Sequence, residues 1–571
     1  MKHNNILLIV PPCIDWSMPM IALPLLKKCI DDAYHVDIVD LNVAFFEEIF
    51  CKSDYKNLKS ALRKSIEKRD LAKSIEIALS LMHSIEGIEL GDSEKAYMRK
   101  VHVFDNWMYS ESVFAFLNEA ESMTEKIIRQ IIDRNVLFNR DIMTFCVSIS
   151  VEDQIVPSFI LLKIIRELFS DSKIIIGGNI PSRLYNELIH SSLKKYFDIL
   201  LVGEGEVSLK TALRRISNND VRDEPEIMKS SNEGFDFATL KRPDFSWCAF
   251  DKYLACFPIV PITLNRKCDW GKCDFCAIHS CWDDSTRERD ISDVINDIKY
   301  YYHVYGVKFF RIIDENVNPN LLERFADALL QTDIEIYYEA YTRFSSRFTD
   351  EMVAKIFHSG CRQLFWGIES INDGVLKLVR KGTTKTIITE NLNTFANHGI
   401  LNYCFVLTGI PNTDEQSEQE TIEYIVHNTS IHVAAIGSYV VDRLSPMEKE
   451  PEIIKKYDIT LYSKGDLTTE KGFLFRGMNI DATVKKRTEQ YIEKIYRSRG
   501  DFALTAMLDE ETRLILCSFF GNDFAKQAFS LLSKEDKELV YKMSTCRSTE
   551  ERVLRNSGED YENNLFKRIP L

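Results

Sequence analysis

The stretch Cys268-Asp-Trp-Gly-Lys-Cys273-Asp-Phe-Cys276 places three thiols within nine residues, in the spacing C-x4-C-x2-C. A structural zinc site closes with four Cys or His ligands, and this run supplies three. Zinc therefore needs His279 or Cys281 as a fourth ligand, and that reading stands as the alternative. Three closely spaced thiolates suit a cubane [4Fe–4S] cluster in which one iron has no protein ligand. An iron left open in this way can coordinate a small molecule.

Working outward, the cysteine loop follows a short apolar run near Pro261 that opens a β/α series. Further strands are expected at Lys308–Ile313, Glu335–Tyr341, Gln363–Gly367, Tyr403–Leu407 and Ala434–Val440. Six such units predict a partial (β/α)6 barrel. Polar residues recur where these strands end, which is where barrel folds place their chemistry. Asp314-Glu-Asn316 follows the second strand and Arg343 the third. Gly367-Ile-Glu369-Ser370 ends the fourth, with Lys381-Gly-Thr383 after it, and Gly409-Ile-Pro411 follows the fifth. A polar residue at a strand end also caps helices, so each keeps a purely structural reading beside the chemical one.

The N-terminal half has its own β/α rhythm. Ile6–Val10 reads as a buried parallel strand running into Pro11-Pro12, followed by a helix around Leu23–Cys29 and a strand at Val36–Asp40. From about 43 to 132 the pattern is mainly helical and reads as an insertion. Strands then return at Phe145–Ser150, Lys173–Ile176 and Asp198–Val202, the last two ending at Gly177-Gly178 and Gly203-Glu-Gly-Glu206. This alternation predicts an α/β, doubly wound parallel sheet, whose ligands lie beyond the carboxyl ends of its strands. The expected boundaries are 1–215 for this domain, 216–245 for an Asn/Asp/Glu/Ser-rich linker, 246–448 for the barrel and 449–571 for a mainly helical C-terminal region, with a possible hairpin around Phe502–Leu516.

Bulk properties narrow the function. The 571 residues suggest about three to four domains. The formal charge of −14 disfavours a broad nucleic-acid footprint, which needs clustered Lys and Arg. No apolar run reaches the length of a membrane-spanning helix, and Ile6–Val10 is too short for a signal-peptide core. The 14 scattered cysteines read as reduced thiols, so a cytoplasmic location is expected.

From about Pro261 to Met447 the chain resembles the radical S-adenosylmethionine (SAM) superfamily. The usual motif there is C-x3-C-x2-C with an aromatic before the third cysteine. Phe275 supplies the aromatic, and the first gap here is one residue longer. The resemblance implies that Cys268, Cys273 and Cys276 ligate a [4Fe–4S] cluster and that SAM chelates the open iron. Arg343 would meet its carboxylate, since Arg offers a planar fork of donors. Glu369 would accept from its ammonium or ribose, and the backbone near Phe275 and Leu407–Gly409 would line the adenine. An electron donor such as flavodoxin or ferredoxin would reduce the cluster, and SAM cleavage would yield a 5′-deoxyadenosyl radical.

The N-terminal half resembles the cobalamin-binding, Rossmann-like domain that precedes the barrel in one large radical SAM subgroup. The matching pieces are Val10-Pro-Pro12, Val39–Asn42, Ser148-Ile-Ser150, Gln154, Gly177-Gly178 and Gly203-Glu204-Gly205-Glu206. The Asp-x-His-x-x-Gly motif that supplies cobalt with a histidine in classical cobalamin enzymes is absent, as it is in many members of the subgroup. A domain of this fold that binds nothing is the alternative. With cobalamin, the resemblance implies methylation of an unactivated carbon in a natural-product, peptide or small-metabolite substrate, while relatives also run rearrangements and cyclisations. Two other classes are weighed. A methylthiotransferase would need a second three-cysteine site, and only Cys13, Cys29 and Cys51 lie early. A non-catalytic corrinoid or iron–sulfur carrier would need no SAM pocket.

Overall fold

The computed structural model describes residues 5–30, 34–90, 94–97, 100–119, 121–230, 235–281 and 286–548. In the first domain, six parallel strands are arranged in the order His35–Asp40, Asn5–Val10, Thr144–Ser148, Lys173–Gly177, Ile199–Val202, Glu226–Lys229. Both faces of the first strand are buried, which is why its apolar residues run on without alternation. Leu7 and Ile9 join one core, and Ile6, Leu8 and Val10 the other. The chain reverses direction of winding between the first and third strands, which opens a crevice at their carboxyl ends.

The expected linker is not all linker. Glu226–Lys229 pairs in parallel with Ile199–Val202 as the sixth strand. It is a half-exposed edge strand, so its polar sequence gives no apolar signal. The insertion is helical as expected, at Leu41–Ile49, Tyr55–Glu67, Leu71–Ser84, Ser110–Leu117 and Met123–Arg134. It also carries a small antiparallel sheet of Ile88–Glu89, Lys95–Ala96 and Val101–His102.

The second domain is the partial barrel. Its six parallel strands, Ile259–Ile262, Phe309–Ile312, Tyr337–Thr342, Cys361–Glu369, Leu401–Thr408 and Val433–Ser438, pair in chain order. Helices start at side-chain caps such as Asn318, which accepts from Leu321 N, and Thr349, which accepts from Met352 N. The outward residues Tyr338, Leu364, Trp366 and Cys404 are buried beneath the helices. Trp366 stacks on Phe344 at 4.6 Å and donates to Asn402 Oδ1 at 2.9 Å. Truncating such an anchor to Ala costs about 3–5 kcal/mol. The alternate residues face the lumen: Arg311, Glu339 and Gln363 share one level, and Tyr341, Phe365 and Tyr403 the next.

The C-terminal region is mainly helical, with two corrections. Val441–Asp442, Glu470–Phe475 and Ile459–Ser463 form an antiparallel sheet. Around Phe502–Leu516 there is no hairpin but two helices, Gly500–Ala506 and Glu510–Phe520, divided where Asp509 caps the second by accepting from Thr512 N at 2.6 Å. Short apolar runs are ambiguous between strand and helix, and here the capping residue decides. Helix Asp481–Ser498 lies along the last barrel strand, where Thr488 Oγ1 bonds Ser438 Oγ at 3.1 Å, and it also bonds Thr408 Oγ1 at the end of the fifth strand at 2.6 Å. Helix Glu510–Phe520 packs beneath the barrel strands.

Candidate active site at the carboxyl ends of two sheets

The cysteine loop is an excursion closed at its base by a short antiparallel ribbon, in which Asn265 pairs with Glu288 and Arg266 with Arg287. Left-handed backbone at Lys267 and Gly271 folds it tightly. Cys273 is buried, and Cys268 and Cys276 are half-buried. Burial pushes the Cys276 thiol up to about 12, with Cys273 and Cys268 adding to it and Lys381 opposing. Burial raises Cys273 as well, against the pull of Lys381 and Arg343. Among the described residues no three Cys, His, Asp or Glu side chains converge as a single metal ion requires. A cubane presents its irons at separate corners, so its ligands stand apart. The side chains of His279 and Cys281 lie outside the described residues.

Asp274, which the sequence reading passed over, anchors this loop. It is fully buried, and its carboxylate meets Arg380, Lys456 Nζ at 2.7 Å and Tyr457 OH at 2.9 Å. The signal for it was a charge set between two cysteines that have no use for one. Trp270 Nε1 donates to Arg380 O at 2.8 Å, and its indole lies so close to Gly382 that a Cβ there would sit 2.2 Å from Cζ2.

Phe275, Arg343 and Glu369 gather around Lys381. Arg343 stacks its guanidinium 4.7 Å from the Trp270 ring and donates to the Lys381 carbonyl, while its buried Nε has no partner. Glu369 follows an irregularity at Gly367/Glu369 and takes a left-handed φ of 59°. Its Oε1 accepts from Lys381 Nζ at 2.7 Å, and that ammonium lies 5.7 Å from the Phe275 ring. Burial opposes the Lys381 charge, but Glu369 and Cys273 outweigh it and hold the ammonium above its ordinary range. Gly367 is required here, because a Cβ would come 2.4 Å from Glu369 Oε1. The unpartnered Arg343 Nε and Thr383 Oγ1 beside this cradle fit a polar ligand.

Other strand-end residues have structural work. Asp314 accepts from Thr263 Oγ1 at 2.6 Å, Leu264 N at 2.7 Å and Asn265 N at 3.0 Å, and burial raises its carboxyl to about 7 against those bonds. Gly409 needs its φ of +72°, yet its Cα faces a neighbour: a Cβ would lie 2.3 Å from Val484 Cγ1.

A cavity of about 300 Å³ opens at the crevice of the first sheet. Ser148, Ser150, Gly177, Gly178, Gly203, Glu204, Gly205 and Glu206 line it together with Leu8, Ile175 and Leu201, and across the mouth stand Thr263, Asn265, Arg266 and Glu315 of the barrel. Pro12 and Gln154 do not line it. Gln154 is fully buried, accepts from Ser150 N at 2.8 Å and donates to Pro11 O at 2.8 Å, tying two loops together. Glu204 and Glu206 are claimed by the barrel. Arg266 Nη1 bonds Glu204 Oε2 at 2.9 Å and reaches Glu206 with Nη2, and Arg287 Nη1 bonds Glu204 Oε2 at 2.9 Å. The glycines also serve packing: a Cβ on Gly178 would lie 2.5 Å from Ile149 O, and one on Gly205 2.8 Å from Leu26 Cδ2.

Residues 262–425 match the Radical SAM superfamily. The anaerobic magnesium-protoporphyrin IX monomethyl ester cyclase of Synechocystis sp. is 23% identical over 275 residues, 45% of this chain and 54% of that protein. The chain thus spans about half the length of that relative. The solved structure of the cobalamin-dependent SAM radical enzyme OxsB, with aqua-cobalamin and SAM bound, superposes with a TM-score of 0.59 at 13% identity, covering 100% of this chain and 82% of that one. The radical SAM methyltransferase TsrM from Kitasatospora setae, with cobalamin and a [4Fe–4S] cluster bound, gives 0.58 at 13% identity, covering 95% and 99%. At such identities the two structures share this chain's fold. Among the described residues, no helix is long and apolar enough to cross a membrane.

Proposed function

We propose that this protein, built around a radical SAM domain at residues 262–425, is a cobalamin-dependent radical SAM enzyme that methylates an unactivated carbon of a small molecule or peptide. The observation that carries the reading is the convergence of the three-cysteine loop with Phe275, Arg343 and the Glu369–Lys381 pair, on a loop whose base residues Asn265 and Arg266 line the crevice of a doubly wound domain.

Cys268, Cys273 and Cys276 would hold the [4Fe–4S] cluster, and bound cluster and SAM together supply an electron and a hydrogen-abstracting radical. Arg343 offers its unpartnered Nε to a carboxylate, and Glu369 offers an acceptor to an ammonium or hydroxyl. Asp274 holds the loop in place, and Gly367 keeps space for the Glu369–Lys381 pair. In the first domain, Ser148, Ser150, Gly177, Gly178, Gly203 and Gly205 would hold part of a corrinoid, which supplies methyl-carrier chemistry when bound, while the carboxylates of Glu204 and Glu206 beside them are spent on Arg266 and Arg287. The cavity is at the lower end of ligand-pocket volumes, so the remainder of such a group would extend toward the barrel. Overall, the substrate carbon would exchange a hydrogen for a methyl, one SAM giving the methyl and leaving as S-adenosylhomocysteine, another taking the hydrogen and leaving as 5′-deoxyadenosine and methionine, with two electrons drawn from an external donor such as flavodoxin or ferredoxin. The cyclase among the relatives favours cyclisation or rearrangement as the second reading.

The test is cobalt content after anaerobic cluster reconstitution, incubation with hydroxocobalamin and desalting. Near-stoichiometric cobalt supports the reading, and negligible cobalt with an intact cluster removes cobalamin from it. SAM cleavage under reducing conditions is scored separately. Its absence moves the protein to the carrier class.

A further inference from the structure

The cysteine loop is held from two sides, and one of them is the C-terminal region. On the barrel side Asp274 N donates to Val379 O at 3.2 Å, and Arg380 contacts the Asp274 carboxylate. On the other side Met447 N donates to Asp274 O at 3.0 Å, and Lys456 Nζ donates to Asp274 Oδ2 at 2.7 Å. The Tyr457 hydroxyl lies 2.9 Å from the same carboxylate oxygen. Lys456 and Tyr457 also reach the Leu378 carbonyl, so they fasten the segment Cys273–Cys276 to the turn that carries Arg380. Tyr457 is fully buried in a small separate core with Val379, Ile410 and Met447, and Phe275 packs against that core. Residues 182 and 183 positions beyond Asp274 therefore complete the surroundings of the cysteines.

Fastening a loop does not require charge. A buried carboxylate with its cations is a costly anchor, and apolar side chains of similar size often hold as well. The position of the charge is what matters. Asp274 stands one residue after Cys273 and two before Cys276. A [4Fe–4S] cluster on three thiolates is anionic and gains a further negative charge on reduction, and its potential follows the charge and hydrogen bonding around it. Asp274 alone would oppose that reduction. Arg380 and Lys456 together outweigh it by one positive charge. Lys381 and Arg343 also act on Cys273, but Lys381 is matched by Glu369, and Arg343 is open to a carboxylate. The side chains of Arg380 and Lys456 are 45% and 35% exposed, so water screens part of their effect and leaves its sign.

We propose that Lys456 and Tyr457 of the C-terminal region are positioning residues for the iron–sulfur cluster. Tyr457 fixes Asp274, and with it the ligand segment Cys273–Cys276, while the ammonium of Lys456 holds the reduction potential of the cluster up against the Asp274 carboxylate. This role rests on the radical SAM reading above. It makes the C-terminal region part of the machinery that lets the cluster accept an electron.

Redox titration followed by electron paramagnetic resonance, on the full-length protein reconstituted anaerobically with iron and sulfide, tests this. Lys456→Met should keep the iron content of the parent and shift the midpoint potential to a more negative value, and Lys456→Arg should return it toward the parent's. Arg380→Gln, which removes the other cation from the same carboxylate, should shift the potential in the same direction and keeps the test open if Lys456→Met does not fold. Tyr457→Phe leaves the ring in its core and removes only the hydroxyl. It should leave the potential near the parent's and speed iron loss to a chelator by about tenfold, as expected for a hydrogen bond to a charged group. The parent's potential in Lys456→Met, even with a lowered thermal midpoint, marks the contact as packing only and overturns the proposal. Failure of Lys456→Arg to restore the potential, or an unchanged rate of iron loss in Tyr457→Phe, overturns it as well. A parent chain that takes up no iron would instead remove the cluster reading, and this role with it.

Discussion

Arg266 bonds Glu204 across the boundary between the two α/β domains while standing two residues ahead of Cys268. The same guanidinium reaches Glu206, and Arg287, its partner in the ribbon, closes on Glu204 from the other side. The base of the cysteine loop is thus held by carboxylates of the neighbouring domain, with side chains 1% and 4% exposed.

Glu204→Gln should leave Arg266 and Arg287 short of a buried counter-charge. Breaking a buried pair from one side costs about 3–5 kcal/mol. The expected result is a lowered thermal midpoint and faster limited proteolysis near Gly203–Glu206, with iron loading reduced less than in Cys273→Ala. An unchanged midpoint would show that the network contributes nothing net.

Gly367→Ala should damage SAM binding without removing the cluster. Its Cβ would come 2.4 Å from Glu369 Oε1 and 2.5 Å from Lys381 Nζ, so the pair must separate. Iron content should match the parent, while SAM affinity falls by about tenfold or more, the loss expected for a displaced charge-assisted contact. Calorimetric titration with SAM on reconstituted protein measures it.

Gly409→Ala tests the contact between the fifth barrel strand and helix Asp481–Ser498. The new methyl collides with Val484, and the left-handed backbone adds strain of about 1 kcal/mol. Thermal stability should fall, and Val484→Ala in the same chain should recover the steric part only. Absence of any recovery would mean that Gly409 matters through its φ alone.

His432 gives a pH signature. Burial, with Arg499 adding to it, lowers its imidazole from 6.5 to about 4. Its Nδ1 accepts from Asn402 N at 3.0 Å, which requires the neutral ring. Between those two values the unfolded chain binds more protons than the native one, so stability rises with pH across the window and is lost as pH falls through it. The contribution is at most about 3 kcal/mol. Carboxyls raised by burial, such as Asp314, slope the other way in the parent and the variant alike, so the difference in denaturant stability between the parent and His432→Asn, measured at several pH values, should carry this slope and be flat above 6.5.

The barrel and the first sheet were legible because parallel strands buried on both faces announce themselves as apolar runs, as at Ile6–Val10. Glu226–Lys229 and the antiparallel sheet of Ile459–Ser463 and Glu470–Phe475 have a wet side and gave no such signal. In the site, Arg343 and Glu369 were readable as polar residues at strand ends, and Phe275 from the resemblance of the cysteine motif. The partners of Glu204, Gln154 and Gly409 were not. Whether a glycine makes room for a ligand or for Val484, and whether a glutamate faces a cofactor or Arg266, depends on chain segments far away in sequence. Asp274 was missed for the same reason, since its partner Lys456 lies 182 residues on.

The pleat of strand Cys361–Glu369 separates two kinds of inheritance. Its odd positions from Gln363 to Glu369 address the lumen, while Leu364 and Trp366 address the helices. Substitutions at Phe365, or at Tyr341 and Phe405 on the adjoining strands, therefore change the lining of the lumen without disturbing the layer that keeps the barrel folded. A single-residue insertion would exchange the two sets at once. The lining of the lumen is thus open to point replacement and closed to changes of length.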